Sequence, residues 1–183
     1  SSCPSADHLL SQTISEAKND GRKIFALSFH VDYWNRLGWA DPFSAKEYSQ
    51  RQRTYAAQLN DNSVYTPQMI VNGSRQFIGS DEHDLKDALN KSLNIAPAAA
   101  FKTLTASLQK NVPPQVKFSL AGNYGGCNIN FALISLSETT SIKRGENGGL
   151  TLTNENIVRQ FITVPATAEG IINFKISPLP SSG

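Results

Sequence analysis

Cysteine is scarce in this chain: its 183 residues hold two, Cys3 and Cys127. Two thiols cannot staple a disulfide-dense scaffold, so the fold must rest on a packed core. They are read either as free thiols or as one pair. Charge is also thin, at 17% Asp, Glu, Lys and Arg with a net of +2. That balance excludes a basic nucleic-acid footprint, and Lys46, Arg51, Arg53 and Lys86 are scattered rather than striped. No apolar run approaches the ~18 residues of a membrane-crossing helix. No Walker loop, Gly-x-Gly-x-x-Gly or Gly-x-Ser-x-Gly occurs, which removes the usual nucleotide and hydrolase signatures. Hydrophobic content of 39% excludes extensive disorder. No signal peptide is present, and the abrupt start at Ser1 is expected to follow removal of an upstream segment.

What is present begins in the first turn. Ser1-Ser2-Cys3-Pro4 leads directly into a helical pattern over residues 5–20, with Leu10, Ile14 and Ala17 on one stripe and Asn19-Asp20-Gly21 as its stop. A thiol at a helix N-terminus meets the positive end of the helix dipole and unpaired N–H groups, which favour thiolate chemistry. Residues 23–31 are nearly continuous in apolar character and predict a strand buried on both faces of a parallel sheet. Ser44-Ala45-Lys46-Glu47 reads as a capping box, so a helix is expected from Ser44 to Leu59. Val64 to Val71 predicts a second strand, Asn72-Gly73 a tight hairpin turn, and Gln76-Phe77-Ile78 the returning strand. Asp81 is placed to cap a third helix carrying Leu85, Ala88, Leu89 and Leu93.

The order α-β-α-β-β-α becomes the thioredoxin arrangement if one strand is set in front of it. A strand and a cysteine are both expected before Ser1, because a Cys-x-x-Cys pair ending at Cys3 needs its first thiol there. Residues 1–96 are therefore expected to form a thioredoxin-like α/β domain lacking its first strand. Ile95 to Ala100 reads as a linker. Beyond it, candidate strands at Lys102–Lys110, Gln115–Leu120, Asn128–Ser135, Ile157–Val164 and Gly170–Ile176 predict a small antiparallel β-sandwich over residues 97–183.

The candidate catalytic residues are Cys3, His30, Thr66 and Pro67. In a two-cysteine site the first thiol attacks and the second resolves the mixed disulfide, and the spacing makes Cys3 the second. Thr66-Pro67 enters a strand where a cis-proline would lie beside the thiol, its preceding residue pairing with extended substrate. An ordinary trans-proline at a strand edge is the plainer alternative. His30 stands at the C-terminal end of the first strand, where functional groups gather in α/β sheets; it is suited to shift the thiol's titration or shuttle a proton, with Asp32 either orienting it or accepting from a backbone amide. Tyr33, Trp34, Trp39 and Tyr65, with Asp32, are the candidate substrate-binding residues, an aromatic wall for a peptide. The same loop is equally readable as cover for a sheet edge, with His30 structural. Cys3, His8, His30 and Asp32 are metal-ligand types, but their spacing follows no familiar zinc pattern, and no metal or cofactor is assigned.

Longer segments carry a resemblance. His30-Val-Asp-Tyr-Trp-Asn-Arg-Leu-Gly-Trp-Ala-Asp-Pro42, Gln50-Arg51-Gln52-Arg53, Val64-Tyr65-Thr66-Pro67-Gln68-Met69, Arg144-Gly145-Glu146-Asn147-Gly148-Gly149, Thr151-Leu152-Thr153 and Asn156-Ile157-Val158-Arg159 resemble a secreted bacterial thioredoxin-like family, domain-of-unknown-function family twelve twenty-three. The resemblance covers nearly the whole chain. It implies a thioredoxin-like domain followed by a β-rich domain in an exported protein, and a Cys-Ser-Ser-Cys-Pro site whose last four residues match Ser1-Ser2-Cys3-Pro4. Arg144 and Glu146 read either as a bridge closing over the site or as a hairpin turn held by polar contacts.

The expectation from these residues is a periplasmic or secreted thiol–disulfide oxidoreductase acting on protein thiols or disulfides. The alternatives are a protein-binding module on a thioredoxin scaffold, with the Trp34–Trp39 loop and the β-rich domain holding the partner, and metal handling through Cys3 and His30.

Overall fold

The structure, a computed structural model, describes residues 3–61, 63–145 and 147–175. The chain divides into two compact units. The first takes the chain up to Ile95 together with Ile134–Val158; the second takes Ala96–Leu133 and the chain from Arg159. A single cut at 96/97 does not separate them, because residues 134–158 return to the first unit.

In the first unit, α1 (Pro4–Asn19) begins with proline in its first turn, where a missing N–H is harmless. It ends at the expected stop: Gly21, at φ 68°, and Arg22 donate back to the carbonyls of Lys18 and Ala17, closing a Schellman motif. The segment after it is extended but is not the doubly buried strand expected over 23–31. Its side chains alternate, and Phe25 is 90% exposed. The reason lies in its partner. The Ser28 N–H donates to the Asn156 carbonyl at 2.8 Å and the Val158 N–H donates to the Ser28 carbonyl at 3.0 Å, so the segment pairs with the returning stretch.

A short 3₁₀ turn (Asn35–Leu37) leads to α2 (Lys46–Gln58). The expected capping box does not form. Ala45 is the N-cap, its N–H held by the His30 carbonyl, while the Ser44 hydroxyl is engaged by Asn35 and Asp41. Strand β1 is Gln68–Val71, shorter than expected, and pairs antiparallel with β2 (Arg75–Ile78). Asn72 and Gly73, at φ 47° and 69°, make the left-handed turn that the Asn-Gly pair predicts. Asp81 caps α3 (Glu82–Leu93) by accepting from the Asp84 N–H. Val71, Phe77, Leu85 and Ala88 form one core, with Leu9, Met69 and Leu89 against it. Among the described residues no parallel sheet is formed in this unit beyond isolated bridges at Ser28–Ile157 and Val31–Ala45.

The second unit holds β3 (Ala99–Ser107), β4 (Gln115–Gly122) and β7 (Glu169–Asn173) as an antiparallel sheet in the order β3-β4-β7. β3 starts at Ala99, inside the expected linker, because Ala99 and Ala100 pair with Gly122 and Ala121. β5 (Asn128–Ser141) and β6 (Thr151–Pro165) form a ribbon much longer than the sequence spacing suggests. Within the second unit Phe118, Ile129, Phe131 and Phe174 make the core. Gly170 is needed there, since a Cβ would fall 2.7 Å from the Phe118 ring.

Candidate functional site

Cys3 is the N-cap of α1. Its backbone is extended, its side chain is half-buried, and no side chain caps the helix in its place. The Asp7 N–H donates to the Cys3 carbonyl at 2.9 Å, and the Cys3 sulfur lies 3.4 Å from the Ser5 hydroxyl. The thiol therefore sits where free N–H groups of a helix start are concentrated.

Pro67 is brought to the same helix turn by Gly79. The Gly79 N–H donates to the Pro67 carbonyl at 2.9 Å. A Cβ on Gly79 would stand 3.1 Å from the Pro67 Cβ and 3.4 Å from that of Ala6. The absent side chain is what lets the Pro67 loop approach the first turn of α1. The Thr66–Pro67 peptide is cis. Thr66 accepts from the Trp34 indole N–H at 3.0 Å, which fastens the aromatic loop to the proline loop.

His30 is buried, and the residue that orients it is Asp41 rather than Asp32. His30 Nδ1 and Asp41 Oδ2 are 2.7 Å apart, at 7% and 6% side-chain exposure. Asp41 also accepts from the Phe43 N–H at 2.9 Å, and the Phe43 ring stands edge-on to the imidazole at 5.6 Å. Burial works to raise the Asp41 carboxyl, but the hydrogen bond and charge of His30, with the Phe43 N–H, outweigh it and hold the group below its ordinary value. Asp32 instead accepts from the Ser49 hydroxyl, and its own N–H donates back to that hydroxyl at 3.0 Å, tying the loop to α2.

Asp7 is a further titratable group in the Cys3 turn, and not one of the candidates named from the sequence. Burial raises its carboxyl above the ordinary 3.8, while the nearby charge of His30 and a backbone hydrogen bond from Cys3 oppose that rise without cancelling it. The signal was available, since Asp7 lies one turn beyond Cys3 on the same helix.

The second feature missed is a chain of amides beneath the proline loop. Tyr33 donates its phenol to Gln52 at 3.0 Å. Gln52 donates to the Tyr65 carbonyl at 2.7 Å and to Gln68 at 2.9 Å. Gln68 donates to Gln76 at 3.1 Å, Tyr65 donates its phenol to the same Gln76 oxygen, and Gln76 donates to Asp61. This network fixes the backbone on the N-terminal side of Thr66. Burial raises the phenols of Tyr33 and Tyr65 above their ordinary range, so both remain protonated donors at neutral pH.

The candidates thus divide. Thr66, Pro67, Trp34 and the first turn of α1 are brought together, and Tyr33 meets Trp34 edge-on at 5.3 Å. Trp39 is half-buried and makes no polar contact with Thr66 or Pro67 among the described residues. Cys3, His8, His30 and Asp32 are not gathered as a ligand set: His8 is exposed, Asp32 is engaged by Ser49, and no group of three or more ligand side chains occurs among the described residues. Arg144 approaches the 3₁₀ turn, its Cδ 3.9 Å from where a Cβ on Gly38 would stand; Glu146 lies outside the described residues. No helix among the described residues is long and apolar enough to cross a membrane.

Comparison with known proteins gives a family and a fold neighbour. No curated protein matches the chain. A crystal structure of protein AGR_C_4864 from Agrobacterium tumefaciens, a structural genomics target, is similar over 94% of this chain and 71% of its own, with 26% identity and a TM-score of 0.65. The family model described as protein of unknown function (DUF1223) matches residues 1–181. Spanning nearly the whole sequence, that match establishes that the chain belongs to the DUF1223 family of proteins of unknown function.

Proposed function

We propose that the first unit is a thioredoxin-like domain of an exported protein, and that Cys3 takes part in thiol–disulfide exchange with protein substrates. The observation that carries the reading is the meeting of Cys3's helix turn with Pro67 across Gly79, with Trp34 holding Thr66 from the other side. A nucleophilic sulfur needs a site that favours its anionic form and a surface that holds an extended chain beside it. The helix start sets the sulfur among free N–H groups, and the Thr66–Pro67 backbone offers the surface.

In the Cys-Ser-Ser-Cys-Pro arrangement that the family resemblance implies, Cys3 is the resolving thiol. Its thiolate attacks the enzyme-side sulfur of the mixed disulfide. A disulfide forms between the two site cysteines, the bond to substrate breaks, and the substrate leaves as a thiolate that takes a proton. No outside oxidant is consumed in that step. Asp7, whose carboxyl takes a backbone hydrogen bond from Cys3, is the titratable neighbour within the turn.

The test uses a short peptide whose cysteine is disulfide-bonded to thionitrobenzoate. Attack by Cys3 forms a Cys3–peptide disulfide and releases coloured thionitrobenzoate. In a Cys127→Ser background the reading expects release at least tenfold faster than from free cysteine, lost in Cys3→Ser. Release no faster than from free cysteine contradicts it, and the scaffold alternative then takes over. Substitution of Trp34 and Trp39 reads that alternative, since it alone requires them for partner capture while tolerating Cys3→Ser.

A further inference from the structure

Beside Pro67 the surface opens into a groove of about 510 Å³, lined by Asp61, Ser63, Tyr65, Thr66, Pro67, Gln76 and Ile78. Its walls are of two kinds. Pro67 and the 57%-exposed Ile78 offer apolar surface, and the remainder is polar with one charged group, Asp61. The partners of that carboxylate are neutral donors: the Ser63 N–H at 2.9 Å, the Ser63 hydroxyl at 2.5 Å and the Gln76 amide. The two Ser63 hydrogen bonds hold its carboxyl below the ordinary value, so it is ionised at neutral pH, and among the described residues no Lys or Arg pairs with it. Gln76 is itself fixed by Gln68 and Tyr65, so the carboxylate is held in place from beneath.

We propose that this groove receives a lysine or arginine side chain of an extended, cysteine-containing peptide, the cationic head meeting Asp61 while the stem lies on Pro67 and Ile78. Long basic side chains carry an apolar stem and a charged head, and the groove presents a surface for each. Thr66 and Pro67 belong both to this groove and to the loop beside Cys3. A peptide laid along that loop therefore brings its cysteine to the thiol and a neighbouring side chain to Asp61. The inference names the substrate class of the exchange site and rests on that reading for the cysteine's position; the groove's preference for a basic side chain is measurable without any reaction.

The probe is a series of acetylated, amidated pentapeptides with serine at the centre, so that no exchange occurs, and with Lys, Glu or Ala at each of the two positions on either side. Binding is followed by chemical-shift titration of the Ser63 and Gln76 amides. One Lys position is expected to bind about threefold to tenfold more tightly than its Glu counterpart, the range for an exposed ion pair with matching repulsion removed. Asp61→Asn is expected to remove that preference and Asp61→Lys to reverse it. Rising salt on the unaltered protein should shrink it, a readout independent of any change in the Asp61 turn. Equal binding of Lys and Glu peptides at every position, or a preference that survives Asp61→Asn, overturns the proposal. The thionitrobenzoate assay fails separately: a Lys preference without exchange at Cys3 keeps the groove and removes the oxidoreductase reading.

Discussion

The two units bury different things. The second is held by aromatic and aliphatic packing around Phe118, Ile129, Phe131 and Phe174, and its strand β3 is exposed from Ala100 onward. The first buries polar groups as well. His30, Asp41, Ser49, Gln52 and Asn154, the buried polar side chains among the described residues, all belong to it. Burial of a polar group is unfavourable unless each donor and acceptor is met, so such networks are fixed and specific where they occur. Here they surround the loops carrying Trp34, Thr66 and Pro67. The contrast is between an apolar core in one unit and a core with fixed polar groups in the other.

The largest effect is expected at the returning stretch. Ile157 is fully buried in the first unit and Val158 nearly so, with the Val158 carbonyl accepting from the Tyr48 phenol at 3.0 Å. Ile157→Ala should destabilise that unit by about 2–5 kcal/mol, through lost transfer energy and the cavity left behind. Urea unfolding followed at Trp34 and Trp39, the two tryptophans, reads the first unit alone. An unchanged midpoint would mean that residues 134–158 are not part of its core.

Next comes the buried pair. Asp41→Asn leaves His30 without its charged partner and should lower stability at pH 7 by about 1–3 kcal/mol. The folded Asp41 carboxyl is held below its ordinary 3.8. Its contribution is therefore present above that value and lost as pH falls through the lower, folded one. The difference between Asp41→Asn and the unaltered protein should close over that acidic window, and a difference constant from pH 7 to pH 2.5 would show that charge is not what the pair contributes.

A smaller effect of opposite sign is expected at Asp7. Its folded carboxyl is raised, so ionisation at neutral pH opposes folding, whereas below the ordinary 3.8 both states are protonated and no penalty exists. Asp7→Asn should raise the urea midpoint at pH 7, with the gain vanishing as pH falls below that value. A loss of stability at pH 7 would place Asp7 among the structural groups. Smallest of all, Leu104→Ala on β3, 58% exposed, should change stability by no more than about 0.5 kcal/mol. A large loss there would break the contrast from the other side by showing that β3 is covered in solution.

Local signals in the sequence were legible because their physics is local. The Asn19-Asp20-Gly21 stop, the Asn72-Gly73 turn, the Asp81 cap and the placement of Cys3 and Pro4 at a helix start each depend on a few consecutive residues. What escaped was set by distant partners. The segment 23–31 looked doubly buried because its composition is apolar, yet its partner is Asn156 to Val158, some 130 positions along the sequence, and it covers one face only. Asp32 looked like the partner of His30 because it is two residues away; the Ser49 hydroxyl on α2 engages it instead, while Asp41 arrives after the loop has turned back. The glutamines of the amide chain are spread over α2 and a hairpin, and only their convergence beneath Tyr65 gives them a role.

The central claim, that the α1 turn beside Pro67 makes Cys3 a working thiol, is tested most directly by competition between the two thiols in one molecule. Cys127 is exposed in the second unit and Cys3 is half-buried in the first, so simple access favours Cys127. Limiting iodoacetamide at pH 7, followed by peptide mass analysis, reads which is modified first. The account predicts that Cys3 is alkylated first in the folded protein and that its lead disappears in urea. Modification of Cys127 first, with Cys3 reacting only after unfolding, would contradict it.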